Sequence, residues 1–192
     1  HSTSRRQRQM CIRDRVYEYY ADGRPLPEKP VMLSFDDDDE NQYANALPLL
    51  KKYGFKATFF IMTVSIDKEN YMTAGQIKDL DRQGFDVEPH TWDHHIVTAY
   101  KTDDDWQLQI AGPKKTLEDM LGHPTPFFAY PFGMYNAAAA EKLKDNEKKD
   151  RPEGLKLKEK FDKAARYSDF REMLDKQKDI DGVQVIRGCD HY

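Results

Sequence analysis

Three short apolar runs, VMLSF at 31–35, KATFFIM at 56–62 and FDVE at 85–88, are each followed by a helical pattern. This alternation limits the chain more than any other feature, because parallel strands need crossover connections and a helix is the usual one. After the first run, Tyr43, Leu47 and Leu50 recur at helical spacing, Pro48 places the regular helix from about Ala46, and Gly54 stops it. After the second run, Thr73 caps a helix that turns Ile77 and Leu80 inward and ends at Gly84. After the third, a helix starts at Thr102 with three aspartates in its first turn, carries Trp106 and Ile110 inward, and kinks at Gly112-Pro113 before Leu117, Met120 and Leu121. PFFAYPFG at 126–133 reads as a fourth strand and a turn, NAAAAEKLK as a helix, and KAARY at 163–167 and GVQVI at 182–186 as late strands. The class is α/β, a layered sheet or a barrel.

The chain has 192 residues, 39% of them hydrophobic, enough for one domain with a sizeable core. Residues 1–24 form a basic tail and extended lead-in, and 25–192 a single domain. HSTSRRQRQMCIRDR is basic but is followed by VYEYYADGRP, which does not read as a signal peptide. With 30 basic and 34 acidic residues the surface is balanced, so neither nucleic acid nor an anionic membrane is expected as partner. No apolar run reaches the ~20 residues of a spanning helix, and membrane insertion is not expected. Cys11 and Cys189 stand alone near opposite ends and read as free thiols.

In parallel α/β folds, sites gather at the carboxyl ends of the strands. The acid run SFDDDDE at 34–40, the sequence PHTWDHH at 89–95 and the sequence YPFG at 130–133 all fall there. Five consecutive acids repel one another unless water or a cation takes up the charge. His90 and His94 are four apart and can converge on one ion; with one carboxylate they make the three-ligand set of a catalytic zinc. Adjacent residues at a strand end point different ways, so of Asp36 and Asp37 one can bind the ion while its neighbour takes a proton from water.

SFDDDDE, HTWDHH and FAYPFG, in this order and with YGFKATFFI between the first two, resemble the polysaccharide deacetylases, the NodB-homology carbohydrate esterases of family 4. The motifs of that family read Thr/Ser-Phe-Asp-Asp-Gly, then His-Ser/Thr-x-x-x-His or close variants, then Arg-x-x-Pro-Tyr/Phe-Gly or the related Phe-Ala-Tyr-Pro-Phe/Tyr-Gly, and the match covers about residues 25–140. The resemblance implies Asp36 as general base and Asp37, His90 and His94 as ligands of a divalent metal, Zn2+ first among the candidates. It implies that the Phe132 backbone N–H holds an oxyanion and that Tyr130 and Pro131 line the groove. Trp92 offers a flat face for a sugar ring. The fold implied is a distorted (β/α) barrel of about seven or fewer parallel strands, incomplete at the C-terminal end.

Four departures stand out. Asp38 occupies the place of the motif's glycine, Pro89 precedes His90, Ala129 stands where many members carry an arginine, and the late Leu-x-His motif that supplies the general acid has no counterpart. His191 is the candidate acid and His95 its alternative. The expected function is removal of N-acetyl groups from an N-acetylhexosamine polysaccharide such as peptidoglycan, a chitin-like glycan or poly-N-acetylglucosamine, at the cell envelope or outside the cell. A carbohydrate-binding module on a degenerate scaffold, or an enzyme acting on O-acetyl xylan or on a small amide, fits the same motifs.

Overall fold

The structure is a computed structural model that describes residues 18–19, 23–26, 31–145 and 183–185. Strands β1 (Val31–Asp36), β2 (Thr58–Ile61) and β3 (Asp86–Pro89) are parallel neighbours, and β4 (Val183–Val185) completes the order β3-β2-β1-β4. The first three apolar runs and the last are therefore strands, as the sequence predicts. The 126–130 segment is not: it makes no ladder, and the Phe127 N–H donates to the Glu88 carboxylate at 3.0 Å instead of to a neighbouring strand. Alternating apolar composition cannot tell a paired strand from a segment held by a side chain. KAARY, Cys11, Cys189 and His191 lie outside the described residues.

Chain contacts divide the molecule into two units, Leu33–Leu143 with Val185–Tyr192, and His1–Met32 with Lys144–Gln184. In the second, among the described residues, Arg24 pairs with Glu18 at 3.2 Å.

Helix α1 (Leu47–Tyr53) is entered through a π turn at Gln42–Ala46, carries Pro48 in its first turn and ends on Gly54 at φ 72°. Helix α2 (Ala74–Arg82) begins with a reciprocal box: Thr73 accepts from the Gln76 N–H while the Gln76 side chain accepts from the Thr73 N–H. The third helical run starts at Thr102, which is capped the same way by Asp105, and passes from α3 (Asp103–Trp106) through a π turn at Gln107–Ala111 into α4 (Gly112–Leu121). The expected break at Gly112-Pro113 is thus a widened turn that starts earlier. A proline needs no donor at the start of a helix, and the π turn delivers it there. Helix α5 (Ala137–Asp145) is the alanine-rich segment.

Register shows why this sheet makes a site. Residues Phe35 and Phe59 share a row, as do Phe59 and Val87, and they face helices through Leu47, Leu50, Ile77, Leu80 and Leu117. The Phe35 and Phe59 rings stack at 5.1 Å and Phe85 meets Phe59 edge-on at 5.9 Å. The alternate residues, Ser34, Asp36, Thr58, Phe60 and Glu88, point to the other face, which is predominantly polar. All four residues of β2 are buried, so the strand is covered on both faces.

Candidate metal centre

Asp36, Phe60 and Glu88 stand side by side in the sheet. Asp37 is one residue past that row and His90 two, so register alone brings both to the carboxyl end of the sheet. The His90 N–H donates to the Ile61 carbonyl at 2.8 Å and continues the β2–β3 ladder, as do Thr63 to the Thr91 carbonyl at 3.4 Å and Val64 to that of Trp92 at 2.9 Å. The loop then curls back. Thr91 and His94 adopt φ of 68° and 67°, a left-handed backbone that a β-branched residue rarely takes. The Thr91 hydroxyl offsets part of that strain by accepting from the His94 N–H at 2.9 Å, which presents the second imidazole beside the first.

Asp37, His90 and His94 each offer one ligand atom, all within 4.8 Å of one another. His90 Nε2 and His94 Nε2 lie 3.5 and 3.4 Å from Asp37 Oδ1. Donors about 2.0–2.2 Å from one tetrahedral ion are separated by about 3.3–3.6 Å, so the observed spacing is that of ligands around a shared centre. Asp37 Oδ1 and His90 Nε2 are both buried and make no hydrogen bond. Two such atoms facing each other are costly unless something bridges them. His90 Nδ1 lies 2.9 Å from the Ala129 carbonyl, which accepts from it, fixes the tautomer and leaves the Nε2 lone pair facing Asp37. Burial above all pushes the His90 imidazole down to about 4, so it is neutral and ligand-competent at physiological pH. The residues fit a divalent cation.

The five acids of the opening run separate into distinct jobs. Asp36 stays half-buried, and burial first, then the neighbouring Asp37 charge, raises its carboxyl to about 7. Asp37 faces the imidazoles. Asp38 is completely buried and turns away from them, accepting from the Met62 N–H at 3.1 Å and the Ser65 hydroxyl at 2.8 Å; burial raises it to about 8 against the pull of those two bonds. Asp39 accepts from the Asn41 N–H, and Glu40 is exposed.

Phe132 sits in the Pro131–Gly133 turn with φ 56° and ψ 13°, and its ring meets His94 edge-on at 4.5 Å while two thirds of its surface stays exposed. A non-glycine residue held left-handed against His94 is a local cost concentrated at the site. Pro131 beneath it is buried. Tyr130 packs with Phe128 and Tyr135 at 5.3 and 5.4 Å in a second cluster around Val97, Ile110 and Ala139. Trp92 lies 37% exposed, its backbone N–H donating to the buried Gln109 side chain at 3.2 Å, beside a cleft of about 370 Å³ shared with Thr63, Gln107, Leu108 and Thr116. His95 is exposed and stacks on Tyr100 at 5.8 Å. Sequence reading did not find the Ala129 carbonyl, Thr91, Gln109 or the inward turn of Asp38, because backbone acceptors and left-handed loops leave no residue-type signature.

A family model for polysaccharide deacetylases matches residues 23–149, more than half of the chain. The chain belongs to the polysaccharide deacetylase family. Among relatives of this family, YxkH of Bacillus subtilis (strain 168), named for polysaccharide deacetylation, is 38% identical over 121 residues, covering 63% of this chain and 42% of its own length. A poly-β-1,6-N-acetyl-D-glucosamine N-deacetylase of Staphylococcus aureus (strain MRSA252) is 31% identical over 131 residues, covering 62% of this chain and 45% of its own. The chain thus spans less than half the length of these curated relatives. The solved Streptococcus pyogenes deacetylase PplD in complex with acetate superposes with a TM-score of 0.62 at 27% identity, over 72% of this chain and 66% of that one.

Proposed function

We propose that the chain hydrolyses N-acetyl groups of an N-acetylhexosamine polysaccharide, with one divalent cation held by Asp37, His90 and His94. The observation that carries this reading is the pair of buried, unbonded ligand atoms, Asp37 Oδ1 and His90 Nε2, 3.5 Å apart, with His94 Nε2 3.4 Å from the same carboxyl oxygen. Zn2+ suits two imidazoles and a carboxylate. When bound, the ion supplies Lewis-acid polarisation of the acetyl carbonyl and a more acidic water.

The chain's own residues supply the rest. Asp36, the residue before the ligand Asp37, accepts the proton of the attacking water, and its environment already holds its carboxyl near neutrality, where a general base is most effective. The backbone N–H of Phe132 donates to the oxyanion that develops on the acetyl oxygen. Its ring, edge-on to His94, shields that side of the site from bulk water. Trp92, on the loop between the two histidines, offers a face for a sugar ring, and Tyr130 and Pro131 support the turn that carries Phe132. His191 is the candidate acid for the leaving amine. Poly-N-acetylglucosamine is favoured among glycans by the Staphylococcus aureus relative, and such a polymer places the protein at the cell envelope or outside it. A barrel is supported by the polar yet buried second face of the sheet, which would be its interior.

Metal content and acetate release measured on one preparation, before and after chelation, test the reading on N-acetylglucosamine oligomers. The expected result is about one ion per chain and acetate release that disappears with the ion and returns with Zn2+. Acetate release that survives complete metal removal contradicts it, and glycan binding with no acetate release under any metal supports a binding module instead.

A further inference from the structure

We propose that Asp38 is a positioning residue, which holds the Asp37 carboxylate toward the two imidazoles by clamping the loop after β1 onto the turn after β2. The inference rests on the metal-dependent reading above and assigns a task to a residue that replaces the motif's glycine.

Asp37 and Asp38 both have left-handed backbones, φ 71° and 44°, so the chain reverses abruptly as it leaves β1. Two such residues in succession, neither of them glycine, persist only where surrounding contacts hold them. The contacts are on Asp38. Its Oδ1 accepts from the Met62 N–H at 3.1 Å, and its two carboxyl oxygens lie 3.0 and 2.8 Å from the Ser65 hydroxyl. Its main-chain carbonyl accepts from the Met72 N–H at 2.9 Å. The turn at 62–65 and the segment at Met72 therefore both fasten to one residue with no exposed surface. Asp37 lies between Asp36, fixed in the sheet, and Asp38, fixed by this clamp. With both neighbours anchored, its own dihedrals are set, and so is the 3.4–3.5 Å approach of Oδ1 to the histidines. A glycine at 38 would accept the same backbone and keep the main-chain bond to Met72, but it would lose the ties to Met62 and Ser65, which leaves the ligand loop freer to relax away from the imidazoles.

Hydrogen-bond inventory identifies the variant that should work. The Ser65 hydroxyl carries one proton and also lies 2.7 Å from the Met62 carbonyl. An asparagine at 38 could accept from the Met62 N–H through Oδ1 and donate from Nδ2 to Ser65 Oγ, while Ser65 donates to the Met62 carbonyl. Each tie of the clamp would keep a donor and an acceptor, with one Nδ2 hydrogen left over.

The test is titration of the full chain with Co2+, followed by its visible absorption, for wild type, Asp38→Gly, Asp38→Asn and Ser65→Ala, with the metal-free melting transition of each recorded in parallel. Asp38→Gly should bind Co2+ about tenfold or more weakly and with an altered spectrum, as loss of an orienting partner does at other metal sites. Asp38→Asn should match wild type in both. If Asp38→Gly does not fold, Ser65→Ala decides: weakened Co2+ binding supports the clamp and unchanged binding overturns it. A folded Asp38→Gly with wild-type affinity and spectrum also overturns it, whereas a wild type that binds no Co2+ removes the metal-dependent reading itself.

Discussion

At the scale of single residues, adjacent carboxylates in one run have opposite fates, and the difference is set by what each side chain meets. Asp36 keeps partial access to solvent beside a second carboxylate, Asp37 faces two imidazoles, and Asp38 is sealed against an N–H and a hydroxyl. Replacing Asp36 by Asn keeps the shape of the side chain but removes the carboxylate proposed above as the proton acceptor. Its kcat should fall about 10²–10⁴-fold while bound metal stays near one per chain, as read by steady-state kinetics beside elemental analysis. Replacing His94 by Ala should instead abolish stoichiometric metal in the same analysis, because two ligands from the protein hold a divalent ion poorly. The residues of the Asp37–His90–His94 cluster were legible in the sequence because histidines four apart and a carboxylate after an apolar run are residue-type signals. The carbonyl of Ala129 was not, since every residue carries one and only the fold selects which faces His90 Nδ1. Nor was the direction of Asp38: the spelling of the acid run is the same whether its third aspartate faces an ion or a turn.

At the scale of elements, helices were legible where caps and stops are written in side chains. Thr73 with Gln76 and Thr102 with Asp105 are examples, and Gly54 and Gly84 end their segments in left-handed conformations. Thr73→Ala removes the acceptor for the Gln76 N–H and should lower stability by about 1 kcal/mol in chemical denaturation, with metal affinity unchanged. The 126–130 segment misled because its apolar letters are those of a strand, while its fixing partner is a glutamate on β3 far off in sequence. A second tie between elements is sensitive to pH. His123, just past α4, lies 2.8 Å from Asp81 on α2 and 3.0 Å from the Pro124 carbonyl, and these two bonds, the carbonyl's first, raise its imidazole above the usual value. A folded-state value raised above the unfolded one adds stability that is fully present below about pH 6.5 and is lost as pH rises through the folded value. His123 is nearly half exposed and solvent screens the pair, so the effect should be under about 1 kcal/mol, and His123→Gln should flatten that part of the stability-versus-pH curve in urea titrations.

At the scale of the whole molecule, the three motif loops are 36–40, 89–95 and 130–133, and parallel register explains why the first two meet: strands that start together end together, and the residues past their ends share one rim. The third is tied to them by side chains of β3 and the loop after it, through the Phe127 N–H on Glu88 and the Ala129 carbonyl on His90. Alternation of strand and helix made the α/β class readable; the register itself was not, because Thr58 pairing with Ser34 rather than a neighbour is decided by packing on both faces of the sheet. A site shared by three loops also couples ligand binding to folding. Zn2+ at a hundredfold excess over its dissociation constant should stabilise the chain by about 2.7 kcal/mol, seen as a raised melting temperature that Asp37→Ala abolishes. The most direct measurement of the central claim is X-ray absorption at the zinc edge on the loaded chain. Two imidazole nitrogens and at least one oxygen at about 2.0–2.2 Å, with one imidazole lost in His94→Ala, is the predicted result. A spectrum of oxygen ligands alone, or one that His94→Ala leaves unchanged, would contradict it.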